Sequence, residues 1–322
     1  MISSTRMAAG AFLLAAILCG ALAASPDVEW VPGKGWQKVQ GADAKASPEF
    51  DRAFSYYLKG KYGIARRLFE RVIKTGREPL VEEARILRAE CLLGERHYTR
   101  AFDKFEDFLT KYPAGRFVDR AYAGEVQIAK AVLGGAKIKL LGVRIWSGYG
   151  FAEKVVDRVT SRRPLSDYAR EAQIALARSC FRRHLYIESA SAFQQYVEVF
   201  PDGPEVEEAL LGVGKSLYSD ARGPGYNPIP FYRAYRVFKS LPRDYPASAT
   251  ASSADRLADA AKARLAEHYY LVGRWYLKKR RLDSARVYFE KVLSQYGETR
   301  WADMSKSYLD ALAKPPRGGN GS

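Results

Sequence analysis

Apolar residues in this chain return at one fixed set of intervals. Counting from Tyr98, they fall at Ala101, Phe105, Phe108 and Tyr112, and Pro113 closes the run. The same offsets from Tyr186 give Ser189, Phe193, Tyr196, Phe200 and Pro201. From Phe231 they give Ala234, Phe238, Leu241, Tyr245 and Pro246, and from Tyr149 they give Ala152, Val156, Val159, Arg163 and Pro164. Tyr62 is followed by Ala65, Phe69 and Val72 without the proline, and Leu282 by Ala285, Phe289, Val292 and Tyr296 with Gly297 in the proline's place. Steps of three, four and three keep these residues on one helical face, so each run predicts an amphipathic helix. The small second residue lets a neighbouring helix come close, the aromatic four later fills the groove beside it, and the proline ends the helix.

A first helix precedes each anchor. Nine residues upstream stands Ala53, Ala89, Ala177 or Gly273, and six upstream Tyr56, Leu92, Cys180 or Tyr276. Helix A, turn, helix B at this spacing, met six times over residues 47–313, resembles the tetratricopeptide repeat. The expected fold is therefore all-α, a tetratricopeptide-type helical repeat solenoid of about six helix-turn-helix repeats. Three insertions interrupt the basic period: residues 134–148 between the helices of the third repeat, residues 222–230 in the fifth, and a lengthened helix A in the sixth, from about 252 to 271.

The ends read differently. Arg6, an apolar run over 7–22 and the small-x-small site Ala21-Leu22-Ala23 predict a signal peptide, residues 1–23, hence export. Cys19 is the lipidation candidate, but bulky Leu18 precedes it where a small residue is wanted, so cleavage near Ala23 is the expected processing. Residues 24–46 are polar, with Trp30 and Trp36 bracketing a Gly-containing stretch: an extended arm docked by its tryptophans, or a tether without fixed structure. The tail 314–322 is expected to be disordered.

Composition narrows the function classes. Hydrophobic residues make up 47%, enough for a packed core. Cys91 and Cys180 lie among apolar helical residues and predict buried thiols, not a disulfide framework. The net charge of +16 would suggest nucleic acid inside a cell. Export removes that partner and leaves lipid, anionic glycolipid, an acidic protein face, or plain solvation of helix faces. Three histidines, His97, His184 and His268, have no ligand or triad spacing around them, and no nucleophile or phosphate-loop motif occurs. No enzyme, metal or cofactor is expected.

Binding is expected along the A helices, at one and four residues after the small contact residue and three before it. In the first repeat these positions are Phe54, Tyr57 and Phe50, an aromatic stripe that suits an extended peptide unless Trp30 or Trp36 covers it. Later repeats contribute Ile86, Glu90, Arg178, Phe181, Tyr270 and Arg274.

Residues 240–301, with Tyr-Pro-Ala-Ser at 245–248 and the aromatic, basic stretch that starts at Arg264, resemble the last repeats of the BamD family (also called YfiO or ComL). The segments beginning at Phe105 and Tyr196 resemble it too. The resemblance implies a non-catalytic periplasmic scaffold, peripheral to the outer membrane, that binds a β-barrel insertase through C-terminal repeats. Unfolded barrel substrates would bind near the N-terminal stripe. The chain departs from the family in its six repeats, its insertion at 134–148, its poor lipobox, and Tyr269 where a carboxylate commonly follows the helix-A histidine. The residues by themselves also fit a generic periplasmic adaptor for cell-wall, secretion or polysaccharide-export machinery.

Overall fold

The computed structural model describes residues 28–31, 35–38, 47–140, 143–145, 148–247 and 250–313. The expected signal peptide with Cys19, and the tail from 314, lie outside them. The chain divides into two compact units, with the boundary between Cys91 and Leu92.

In the first unit, β1 (Val28–Val31) and β2 (Gly35–Lys38) form an antiparallel hairpin with Trp30 opposite Trp36 in register. Three helices follow: α1 (Pro48–Leu58), α2 (Tyr62–Thr75) and α3 (Leu80–Gly94), whose last turn crosses the boundary. Ser47 caps α1 by accepting the Phe50 amide at 3.4 Å, and Glu49 and Asp51 stand in its first turn at the positive end of the helix dipole. Phe50 and Ala53 of α1 are buried, as are Ala65, Leu68, Phe69 and Val72 of the α2 it packs on.

The second unit continues with α4 (Tyr98–Lys111), α5 (Val118–Leu133), a hairpin of β3 (Ile138–Leu140) and β4 (Val143–Ile145), α6 (Tyr149–Arg162) and α7 (Asp167–Arg182). Then come α8 (Tyr186–Val199), α9 (Val206–Asp220), α10 (Ile229–Asp244), the long α11 (Ala251–Lys278), α12 (Leu282–Tyr296) and α13 (Arg300–Ala313). From α4 onward each helix packs on the next. The fold is all-α and of tetratricopeptide type, with two short hairpins added.

The repeating register has a direct packing basis. Every second helix starts at its anchor, except that α10 begins two residues before Phe231. The small residues Ala65, Ala101, Ala152, Ser189, Ala234 and Ala285 are all at 0% exposure. The aromatics that follow them fit glycine notches on neighbouring helices. A Cβ on Gly214 would stand 2.4 Å from the Phe238 ring, and one on Gly273 2.8 Å from the Phe289 ring. Past the sixth pair, α13 covers what a seventh repeat would otherwise cover: the Tyr308 ring stacks on Phe289 at 5.2 Å, and Trp301 lies 5.0 Å from Tyr270.

Four of the turns between helix A and helix B share one cap. The residue two before the anchor is left-handed: Gly60 (φ +66°) in the first unit, Arg96 (58°), His184 (61°) and Arg280 (57°) in the second. In each case the next amide donates to the carbonyl five residues back, as from His97 to Leu92 at 2.9 Å and from Arg281 to Tyr276 at 3.0 Å. In the third repeat Gly135 takes the left-handed place, and the chain then enters the β3–β4 hairpin.

Candidate partner-binding surfaces

In the first unit the aromatic stripe of α1 is continuous but not uniform. Phe50 stacks on Phe54 at 6.2 Å, and Phe54 on Tyr57 at 6.0 Å. Tyr57 meets the Tyr62 ring edge-on at 5.9 Å and donates its hydroxyl to Glu90 Oε2 at 2.8 Å. Phe54 and Tyr57 are half-buried, whereas Phe50 retains 6% exposure with its ring edge-on to Phe69 at 5.7 Å. The expected cover by Trp30 or Trp36 concerns side chains outside the described ones.

The positions three before the small residue correct the sequence reading as a set. Phe50, Ile86 and Tyr270 are all buried (6%, 0% and 2%), and so cannot present a contact surface. The reason is geometric. A residue three before the small contact residue shares its helical face, and that face is the one pressed into the neighbouring helix. Positions one and four residues after it lie on the flank and stay partly accessible: Phe54, Tyr57, Glu90, Arg178, Phe181 and Arg274.

Two of these flank residues in the second unit already have partners. Arg178 closes a bidentate pair with Glu208 across α7 and α9, Nε to Oε1 at 2.6 Å and Nη2 to Oε2 at 2.5 Å. Phe181 meets Tyr186 edge-on at 5.6 Å. Arg274 is exposed, its guanidinium 5.9 Å from the Tyr270 ring centre.

The residue offsets did not single out two further features. On the flanks of α11 and α12 runs a tyrosine ladder: Tyr296 with Tyr269 at 5.8 Å, Tyr269 with Tyr288 at 6.4 Å and Tyr288 with Tyr276 at 5.4 Å, all stacked. Lys291 sits 4.0 Å over Tyr269. The aromatic richness of 269–308 was the signal for it. The other is Glu125, fully buried in α5 in a stretch of apolar residues. Burial, then the neighbouring Glu106 carboxylate, push its carboxyl up to about 9, against the pull of Arg162 and Arg158. Arg162 itself grips Glu106 through both guanidinium nitrogens and lines a recess of about 400 Å³ with Leu109, Thr110, Pro113 and Tyr122.

Two of the three histidines have close polar partners. His184 Nδ1 lies 2.7 Å from the Tyr186 hydroxyl, and His268 Nδ1 donates to the Pro224 carbonyl at 2.7 Å. Cys91 and Cys180 are buried, the latter with its sulfur 3.1 Å from the Tyr149 hydroxyl. Among the described residues no cluster of His, Cys, Asp or Glu could hold a metal ion, and no helix is long and apolar enough to cross a membrane.

Comparison with known proteins adds a family match. The model of the YfiO family, described as outer membrane lipoprotein, matches residues 147–311, from just before α6 into α13. The outer membrane protein assembly factor BamD of Neisseria gonorrhoeae is 24% identical over 182 residues, 52% of this chain and 67% of that protein. Its counterpart from Neisseria meningitidis serogroup A is 25% identical over 187 residues, 52% and 68% of the two chains. Among solved structures, a tetratricopeptide repeat protein from Parabacteroides merdae superposes with a TM-score of 0.38 at 13% identity, covering 83% of this chain and 98% of that one.

Proposed function

The chain belongs to the YfiO family of outer membrane lipoproteins, and from that membership we propose that it is a non-catalytic periplasmic scaffold for outer-membrane barrel assembly. In this reading the repeats covered by the family match bind a β-barrel insertase. The Phe54–Tyr57 flank of α1 takes unfolded barrel segments, and the body of the protein lies against the periplasmic side of the outer membrane. The family match over 147–311 carries the reading. The accessible aromatic flank of α1 supports the substrate half of it, because paired half-buried rings on a rigid helix suit the alternate side chains of an extended peptide.

Affinity capture of the protein from solubilised envelopes tests the reading. Recovery of a barrel insertase with periplasmic repeats, together with loss of folded barrels from the outer membrane on depletion, is the expected result. Recovery of peptidoglycan or export enzymes alone, with barrel levels unchanged, would overturn it in favour of a general periplasmic adaptor.

A further inference from the structure

Within the second unit each helix packs on the next, and a short connection between packed helices runs them antiparallel, which sends the turns from helix A to helix B to one edge and those from B to the next A to the other. Contacts between neighbouring turns bear this out. Arg182, at the end of α7, donates to the Leu133 carbonyl at the end of α5 at 3.3 Å. The Arg183 guanidinium lies 4.8 Å from the ring of Tyr149, the first residue of α6.

The two edges differ in charge. Among the described side chains, the A-to-B connections hold Arg96, Lys137, Arg183, Arg222, Lys279, Arg280 and Arg281 against a single carboxylate, Glu95. The B-to-A connections hold Arg116 and Arg163 against Asp202, Glu205 and Glu298. Charges at both edges have partners: Arg163 with Asp119 at 3.0 Å, Glu205 with Arg170, and Glu298 with Lys262 at 2.6 Å at the second, and Lys279 with the Trp275 ring at 5.9 Å at the first.

Apolar exposure follows the same division. Of the large apolar side chains exposed in the second unit, among the described residues, Ile187, Tyr226, Ile229, Tyr232, Trp275 and Leu282 stand in or beside the A-to-B turns; Leu165, Val287 and Met304 lie elsewhere. The clearest instance is the sixth turn, where Lys278, Lys279, Arg280 and Arg281 are all exposed between Trp275 (53%) and Leu282 (54%).

At two of these positions the fold does not require a cation. Arg96, His184 and Arg280 occupy the left-handed cap position that Gly60 fills in the first unit and Gly135 in the third repeat, and glycine is the residue such a position favours. Cations lying beside exposed Trp, Tyr and Leu form the pairing that holds proteins in the headgroup layer of an anionic bilayer, the charge drawn to lipid phosphates and the rings set at the interface.

We infer that the A-to-B edge of the second unit is a docking surface for an anionic lipid bilayer. This contact rests on the proposed placement of the protein against the outer membrane and assigns the surface that makes it.

Vesicle flotation with the exported protein tests it, every variant carrying the same N-terminus. Binding to phosphatidylglycerol-containing vesicles is expected to exceed binding to phosphatidylcholine vesicles and to weaken with salt. Lys279→Glu with Arg281→Glu should lower it by roughly tenfold or more, since each cation near an anionic membrane is worth about fivefold. Arg116→Glu, at the other edge, should leave it unchanged. Arg96→Gly with Arg280→Gly separates binding from folding: it should raise the melting temperature by about a degree or two while weakening vesicle binding. Equal affinity for neutral and anionic vesicles, an Arg116→Glu effect as large as that of the turn variants, or no vesicle binding at all would overturn the inference. The last result would leave an acidic protein face as the edge's counterpart.

Discussion

Glu125 is a carboxylic acid held where a carboxylate is poorly solvated. Its ordinary pKa of 4.5 rises to about 9 in the fold, because burial and then Glu106 favour the protonated form. A group whose folded pKa is raised supports stability fully below its unfolded pKa and loses that support as pH climbs through the folded one. The denaturation midpoint is thus expected to decline between about pH 4.5 and 9. Glu125→Gln, neutral throughout, should flatten that decline. A chemical-denaturation series across this range checks it; an unchanged slope in the Gln variant would remove Glu125 as the cause. The sequence marked Glu125 only as a charge amid apolar neighbours. Its coupling to Glu106 and Arg162 depends on three separate helices meeting, which no local pattern encodes.

At the scale of the element, the helices were readable because their faces repeat. Offsets of three, four and three are a property of one helix, and six copies in one chain leave little room for another period. The hairpins were not readable in this way. β1–β2 and β3–β4 have strands of three and four residues, too short for alternation to stand out from loop sequence. The candidate surface is half legible: spacing locates helix A and its accessible flank, but does not separate that flank from the position three before the small residue, whose face is core. The surviving pair gives a direct test. Phe54→Asp with Tyr57→Asp is expected to weaken binding of an unfolded barrel peptide by roughly tenfold, with helicity by circular dichroism unchanged. A collapse of thermal stability in the same variant would make the flank structural.

For the whole molecule, the sequence supplied a total charge and no address for it. Total charge is compatible with solvation of every face, and only the assignment of helices, hence of which connections share an edge, separates a basic edge from a neutral one. Repeat stacking is what makes that separation possible, since it sends alternate connections to opposite sides. Stacking has a second outcome, and α13 governs it. Contacts from helix to helix carry no inherent stopping point, and the surface left after any repeat resembles the surface another repeat was built to meet. α13 turns Trp301, Ala302, Ser305 and Tyr308 inward and leaves Asp303, Lys306, Ser307 and Asp310 to water. Truncation before Arg300 should therefore uncover Tyr270 and Phe289 as an adhesive end, and light scattering should find head-to-tail oligomers where the intact protein gives none by this route. One amphipathic half-repeat thus acts as the terminator of a latent polymer.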